Sequence, residues 1–149
     1  MIYYDKKEGE VKLLLNTKMA LTRSELREKT MIILYQIEIL RKYSVDYDIE
    51  KVIKENIEVE NDFVKDLVYG VVTQLESLDH EANSFMKDWT IDRIDKTGAS
   101  ILRMALYELN NTDTPQIVVI NEAIELAKKY SDDNVRKIIN AVLDKKINS

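Results

Sequence analysis

Arg23 and Arg27 stand four residues apart in a stretch rich in helix-forming neighbours, so both guanidinium groups can lie on one helix face, a turn apart. Arginine suits phosphate because its planar fork donates two hydrogen bonds at once. The pair could therefore follow a phosphate track on a nucleic acid. An ordinary solvated helix face has the same spacing, and spacing alone leaves both readings open. Arg136 and Lys137, near the C-terminus, pose the same choice. Tyr35 sits beside an apolar stripe, where a tyrosine either packs its ring and leaves its hydroxyl wet or meets a partner. Trp89, the only tryptophan, reads as an anchor in the core or between subdomains, although an aromatic ring can also stack on an unpaired base.

Residues that could support a reaction are scarce. His80 is the only histidine. Its neighbours Asp79 and Glu81 point in other directions on a helix, so the three do not converge on a metal, and His80 is assigned to the surface. Glu122 and Glu125 could pose as a general acid and base, but Glu125 has Lys128 and Lys129 at ion-pair spacing and Glu122 reads as structural. No nucleophile, glycine-rich phosphate loop or metal cluster accompanies them. No catalytic residue, metal ligand or cofactor is assigned, and the chain is not expected to be an enzyme.

Composition narrows the classes further. The chain has no cysteine, which removes disulfides, thiolate zinc sites and cysteine nucleophiles together and suits a reducing, cytoplasmic home. The apolar runs Met31 to Leu34 and Gln116 to Ile120 are too short to span a bilayer, and no signal-peptide pattern opens the sequence. The formal net charge is −5, so long-range electrostatics oppose a polyanion and any nucleic-acid contact must come from a local basic patch.

The elements that must position these residues are helices. Among 149 residues only three are glycine and one is proline, too few for many tight turns. Residues 1–18 carry no sustained helical stripe and read as a flexible N-terminal arm, with a second methionine, Met19, just after it. Thr22-Arg23-Ser24-Glu25 has the form of a capping box, which predicts a helix start. Leu26, Ile33, Leu34, Ile37 and Leu40 then follow the spacing of one buried face as far as Tyr43-Ser44. A short helix is predicted over Asp48 to Glu55. A longer one carries Phe63, Val64, Leu67, Val68, Val71, Val72 and Leu75, with Gly70 allowing close helix packing. Another short helix opens near Leu78 and runs towards Trp89, where a break extends to Ile94. Ile101, Leu102, Ala105, Leu106 and Leu109 form the next stripe, and Asn110 to Asp113 the turn before Pro115. Ile117, Ile120, Ile124 and Ala127 form the sixth, and Val135, Ile138, Ile139, Val142 and Leu143 the last. The expected fold is all-α, about seven helices in two antiparallel helical subdomains, about 19–88 and 89–149.

Four segments of this pattern carry a family likeness. Ile101-Leu102-Arg103-Met104-Ala105-Leu106-Tyr107-Glu108-Leu109, then Pro115, then Val119-Ile120-Asn121-Glu122-Ala123-Ile124-Glu125-Leu126-Ala127-Lys128, closely resembles the signature of the NusB family of bacterial transcription antitermination factors. Lys137 to Lys145 is similar to that family's closing helix, Trp89 to Ile94 to its midpoint, and Arg23 to Gln36 more loosely to its first helix. The resemblance implies two three-helix subdomains with an extra helix. It also implies a non-enzymatic adaptor that binds the boxA segment of nascent RNA together with NusE, a ribosomal protein, and so modifies RNA polymerase.

By the same resemblance, the RNA surface would run from Arg23 and Arg27 to Asn134, Lys137 and Ile138, bordered by Arg93; Arg136 would add a charge to it, and Lys18 and Lys12 of the arm could be borrowed. The NusE surface would include Tyr35, Thr97 and Gly98. Ser24 and Glu25 stand where the family often has further arginines, and Gly98-Ala99 where an acidic residue and an arginine are usual. Asn134-Val135-Arg136 replaces an acidic-serine-histidine stretch, which favours phosphate locally. Two other readings accompany this one: a substrate-guiding domain acting in trans with a ribosomal RNA methyltransferase, and a helical homodimerisation module. The chain could accordingly be a monomer or a homodimer.

Overall fold

A computed structural model of the chain describes residues 2–5, 10–13 and 20–149. Lys18 lies outside them. Ile2–Asp5 (β1) and Glu10–Leu13 (β2) form an antiparallel pair, with Ile2 opposite Leu13 and Asp5 opposite Glu10. The rest is helical: α1 (Arg23–Lys42), α2 (Ile49–Asn56), α3 (Asp62–Thr73), α4 (Leu75–Ser84), a single 3-10 turn at Ile91–Arg93, α5 (Lys96–Asn111), α6 (Gln116–Tyr130) and α7 (Asp133–Ile147). The fold is all-α, with seven α-helices among the described residues.

Local chemistry sets the boundaries. Thr22 Oγ1 accepts from the Glu25 amide while the Glu25 carboxylate accepts from the Thr22 amide, each at 3.1 Å, so the capping box closes and α1 starts where the sequence places it. Asp48, Asn61, Asp95 and Asp132 cap α2, α3, α5 and α7 in the same way, each accepting from a first-turn amide. Pro115 precedes α6, where its missing N–H has no partner to lose.

Helix α5 is the hub, packing on α1, α3, α4, α6 and α7. Its Ile101, Leu102, Leu106 and Ala105 are buried, each contributing the hydrophobic gain of removal from water. Gly70 of α3 faces Tyr107 of α5 so closely that a methyl group added there would overlap the ring. The expected close packing at Gly70 is present, and its cause is this aromatic side chain. No helix among the described residues is long and apolar enough to cross a membrane.

Charge is also buried around the hub. Arg27 of α1 makes a two-pronged contact with Glu108 of α5, Nε to Oε2 at 2.9 Å and Nη2 to Oε1 at 2.8 Å, with side-chain exposures of 3% and 1%. Burial acts against the Arg27 charge, but the Glu108 hydrogen bond and charge, with the charge of Glu122, more than offset it and hold the guanidinium above its ordinary pKa. Arg103 of α5 is buried likewise, with Asp79 of α4 at 2.6 Å and Glu38 of α1 at 3.0 Å. These two clusters tie α1 and α4 to the hub.

Candidate nucleic-acid interface

The break between α4 and α5 and the start of α7 enclose a surface groove of about 520 Å³. Its walls include Trp89, Arg93, Ile94, Asn134, Val135 and Ile138. Asn83 of α4 accepts from the Ile91 amide at 2.8 Å, fixing the 3-10 turn so that Ile91 and Ile94 face inward while Asp92 and Arg93 face water. Trp89 stands just before this turn. Ser131, Asp95 and Gly98 fasten the opposite wall: Asp95 Oδ1 accepts from the Gly98 amide at 2.5 Å and from Ser131 Oγ at 3.3 Å. That link brings the starts of α5 and α7 side by side.

Trp89 is 46% exposed. The sequence reading of it as a core anchor is therefore corrected: Ile91 and Ile94 fill the interior there, and the indole remains on the wall of the groove. The Arg93 guanidinium lies 5.4 Å from its ring centroid, within cation–π range. The two can present a flat aromatic and a cation to one ligand. The clue lay in the polar neighbours Lys87, Asp88 and Thr90, which leave Trp89 outside any apolar stripe.

The carboxylates near the groove are partly committed. Asp95 and Asp132 cap α5 and α7, and Asp133 lies 3.7 Å from Arg136. A polyanion would therefore meet capped helix starts, where the amides already have acceptors. Asn134 and Lys137 are exposed, and Arg136 and Ile138 are half-buried. The structure thus gathers Arg93, Asn134 and Ile138 in one groove, with Arg136 and Lys137 on the same first turns of α7.

The start of α1 has a different character. Arg23 is exposed, its guanidinium 4.2 Å from the Phe63 ring centroid on α3. Arg27, expected beside it on a phosphate track, is withdrawn into the core by Glu108, because at that turn α1 faces α5. That expectation is corrected: a guanidinium with 3% exposure offers no fork to a phosphate. Ser24 donates to Glu122 at 2.6 Å, which gives Glu122 a structural role. Lys129 and Tyr130 both donate to Glu28. Those bonds hold the Glu28 carboxyl below its ordinary pKa, Lys129 being the larger cause, and join α1 to the end of α6. Lys128 pairs with Glu125 at 3.3 Å.

Of the residues assigned to a protein partner, Tyr35 is 39% exposed and Thr97 is half-buried. Gly98 is buried, and a methyl group on it would stand 2.5 Å from Val135 Cγ1. Its expected partner contact is corrected on this ground, since its missing side chain makes room for the chain's own α7. His80 is exposed. Among the described residues no three His, Cys, Asp or Glu side chains form a group able to hold a metal ion.

Comparisons with known proteins agree with this architecture. The sequence profile of the NusB family matches residues 24–148. The transcription antitermination protein NusB of Staphylococcus carnosus is 43% identical over 124 residues, which cover 83% of this chain and 97% of that protein. The solved T. maritima NusB superimposes with a TM-score of 0.75 at 28% identity, covering 87% of this chain and 92% of the other. A structure of NusB and NusE in complex with double-stranded RNA shares the fold, with a TM-score of 0.70 at 24% identity over 83% of this chain and 93% of the other. The chain belongs to the NusB family.

Proposed function

We propose that this chain is a non-enzymatic RNA-binding adaptor of transcription antitermination, acting in the cytoplasm. In this reading it binds boxA-type single-stranded nascent RNA together with NusE and so modifies RNA polymerase. The observation that carries the proposal is the groove in which an exposed Trp89 stands beside Arg93, opposite Asn134 and Ile138. Unpaired bases stack on aromatic and guanidinium planes, whereas the major groove of duplex RNA is too narrow for side chains to read. Arg23, Arg136 and Lys137 would supply phosphate contacts, with Lys18 of the arm as a further candidate. Tyr35 and Thr97 are the proposed contacts to NusE. Membership of a family whose curated relatives are named for antitermination supports the same reading.

A net charge of −5 limits what phosphate attraction alone can do. Affinity for RNA should be modest for the chain by itself and higher when a partner adds linked contacts. The single tryptophan makes this measurable. Titrating a boxA-type RNA into the chain while following Trp89 fluorescence should give a saturable change, with a tighter midpoint when NusE is present. Equal midpoints with and without NusE would remove the adaptor mechanism, and binding that leaves Trp89 emission unchanged would move the RNA elsewhere.

A further inference from the structure

Phe63 lies on α3, 40 positions from Arg23 in sequence, yet both arginines of the first turns of α1 converge on its ring: Arg23 at 4.2 Å and Arg27 at 5.1 Å from the centroid. Arg27 is also held by the two-pronged bond to buried Glu108. The result is a chain of contacts, from the Glu108 carboxylate through the Arg27 guanidinium and the Phe63 ring to the Arg23 guanidinium, that starts in the core and ends in solvent. Only the last member, Arg23, is exposed.

We infer that Phe63 is a positioning residue for RNA binding: it holds the Arg23 guanidinium ready for a backbone phosphate. The inference rests on the RNA-binding reading above and extends it to a residue with no polar atom in its side chain. An exposed arginine ordinarily samples many rotamers, and fixing it on a ligand costs much of that freedom. A ring beneath the guanidinium restricts those rotamers before the ligand arrives, so less is lost on binding. The attraction uses the π face of the ring, which accepts none of the five N–H donors in the way a carboxylate would. Arg23 is therefore held without being neutralised. Arg27, whose charge is matched by Glu108, buttresses the ring and adds little repulsion.

The test is a set of variants, Phe63→Leu, Phe63→Tyr, Arg23→Gln and the double variant Phe63→Leu with Arg23→Gln, each titrated with a fluorescein-labelled single-stranded boxA-type RNA in the presence of NusE at several salt concentrations. Arg23→Gln should weaken binding and reduce the salt slope by about 1. Phe63→Leu should weaken binding about two- to fivefold, Phe63→Tyr should restore it by retaining a ring, and Phe63→Leu should cost nothing further once Arg23 is gone. Thermal melts identify any variant that fails to fold, and the tyrosine variant keeps the test decisive in that event. A Phe63→Leu penalty of equal size with or without Arg23, or a Phe63→Tyr variant as weak as Phe63→Leu, would overturn the inference. Binding that Arg23→Gln leaves unchanged would overturn it while leaving the RNA-binding reading intact, whereas a parent chain that binds no RNA would overturn both.

Discussion

The α1–α5 interface and the groove beside α7 each contain an arginine against an aromatic ring, and the two have opposite fates. Arg27 shares the Phe63 ring but is sealed by Glu108, while Arg93 lies over an exposed Trp89. The difference lies in what stands behind the guanidinium. A buried carboxylate turns the cation into an internal strut, and an open groove leaves it available to a ligand. Both places set an arginine on an aromatic ring, across 36 positions in one and 4 in the other, and what packs behind the guanidinium decides between stability and recognition.

The largest effect expected from this contrast is at the interface. Glu108→Ala would leave Arg27 buried without its counter-charge, and removing one member of a buried pair typically costs about 3–5 kcal/mol. Chemical denaturation should show that loss, and replacing both partners by apolar residues of similar volume should recover much of it. A loss below about 1 kcal/mol would mean that water reaches Arg27, as at exposed pairs, and the two regions would no longer differ.

An intermediate effect is expected in the groove, on binding and not on folding. Trp89→Ala should cost about 1–3 kcal/mol of RNA affinity if one base stacks there. It should change stability by only about 0.5 kcal/mol, as is usual for surface substitutions. A large fall in the denaturation midpoint with unchanged RNA binding would reverse the roles given to the two regions.

The smallest effect concerns Glu28, which joins α1 to the end of α6. Its carboxyl is held below the ordinary value of 4.5 chiefly by the Lys129 hydrogen bond and then by that of Tyr130. A depressed folded-state pKa gives stabilisation that is fully present above the unfolded value and is lost as pH falls through the folded value. Acidification below 4.5 should therefore remove a contribution of less than about 1 kcal/mol. Glu28→Gln should lack that part of the acid sensitivity; identical acid titrations of stability for parent and variant would dissociate Glu28 from the junction.

Much of the fold was legible because its signals are local. The capping box at Thr22, the stripe on α1 and the tight packing at Gly70 all appear in the structure, since each depends on residues within a turn or on a missing side chain. The charges of the hub were not legible. Arg103 and Glu108 interrupt an apolar stripe, and only partners far away in sequence make their burial tolerable: Glu108 meets Arg27 across 81 positions and Arg103 meets Asp79 across 24. For the same reason Arg27 read as a surface cation. Trp89 erred in the other direction, because hydrophobic character favours burial but cannot show which neighbours, here Ile91 and Ile94, take the interior space.

Synthesis on a ribosome runs from N- to C-terminus at about 5–20 residues per second, so about four to sixteen seconds separate the addition of Arg27 from that of Glu108. Until α5 is made, the first four helices lack the Glu108 carboxylate that neutralises Arg27, the Arg103 guanidinium that meets Glu38 and Asp79, and the Tyr107 ring that packs on Gly70. The emerging chain must wait, partly assembled and hydrated, for a helix that has yet to be made. The order in which the ribosome delivers the polypeptide thus makes α5 the point at which the N-terminal half can first close.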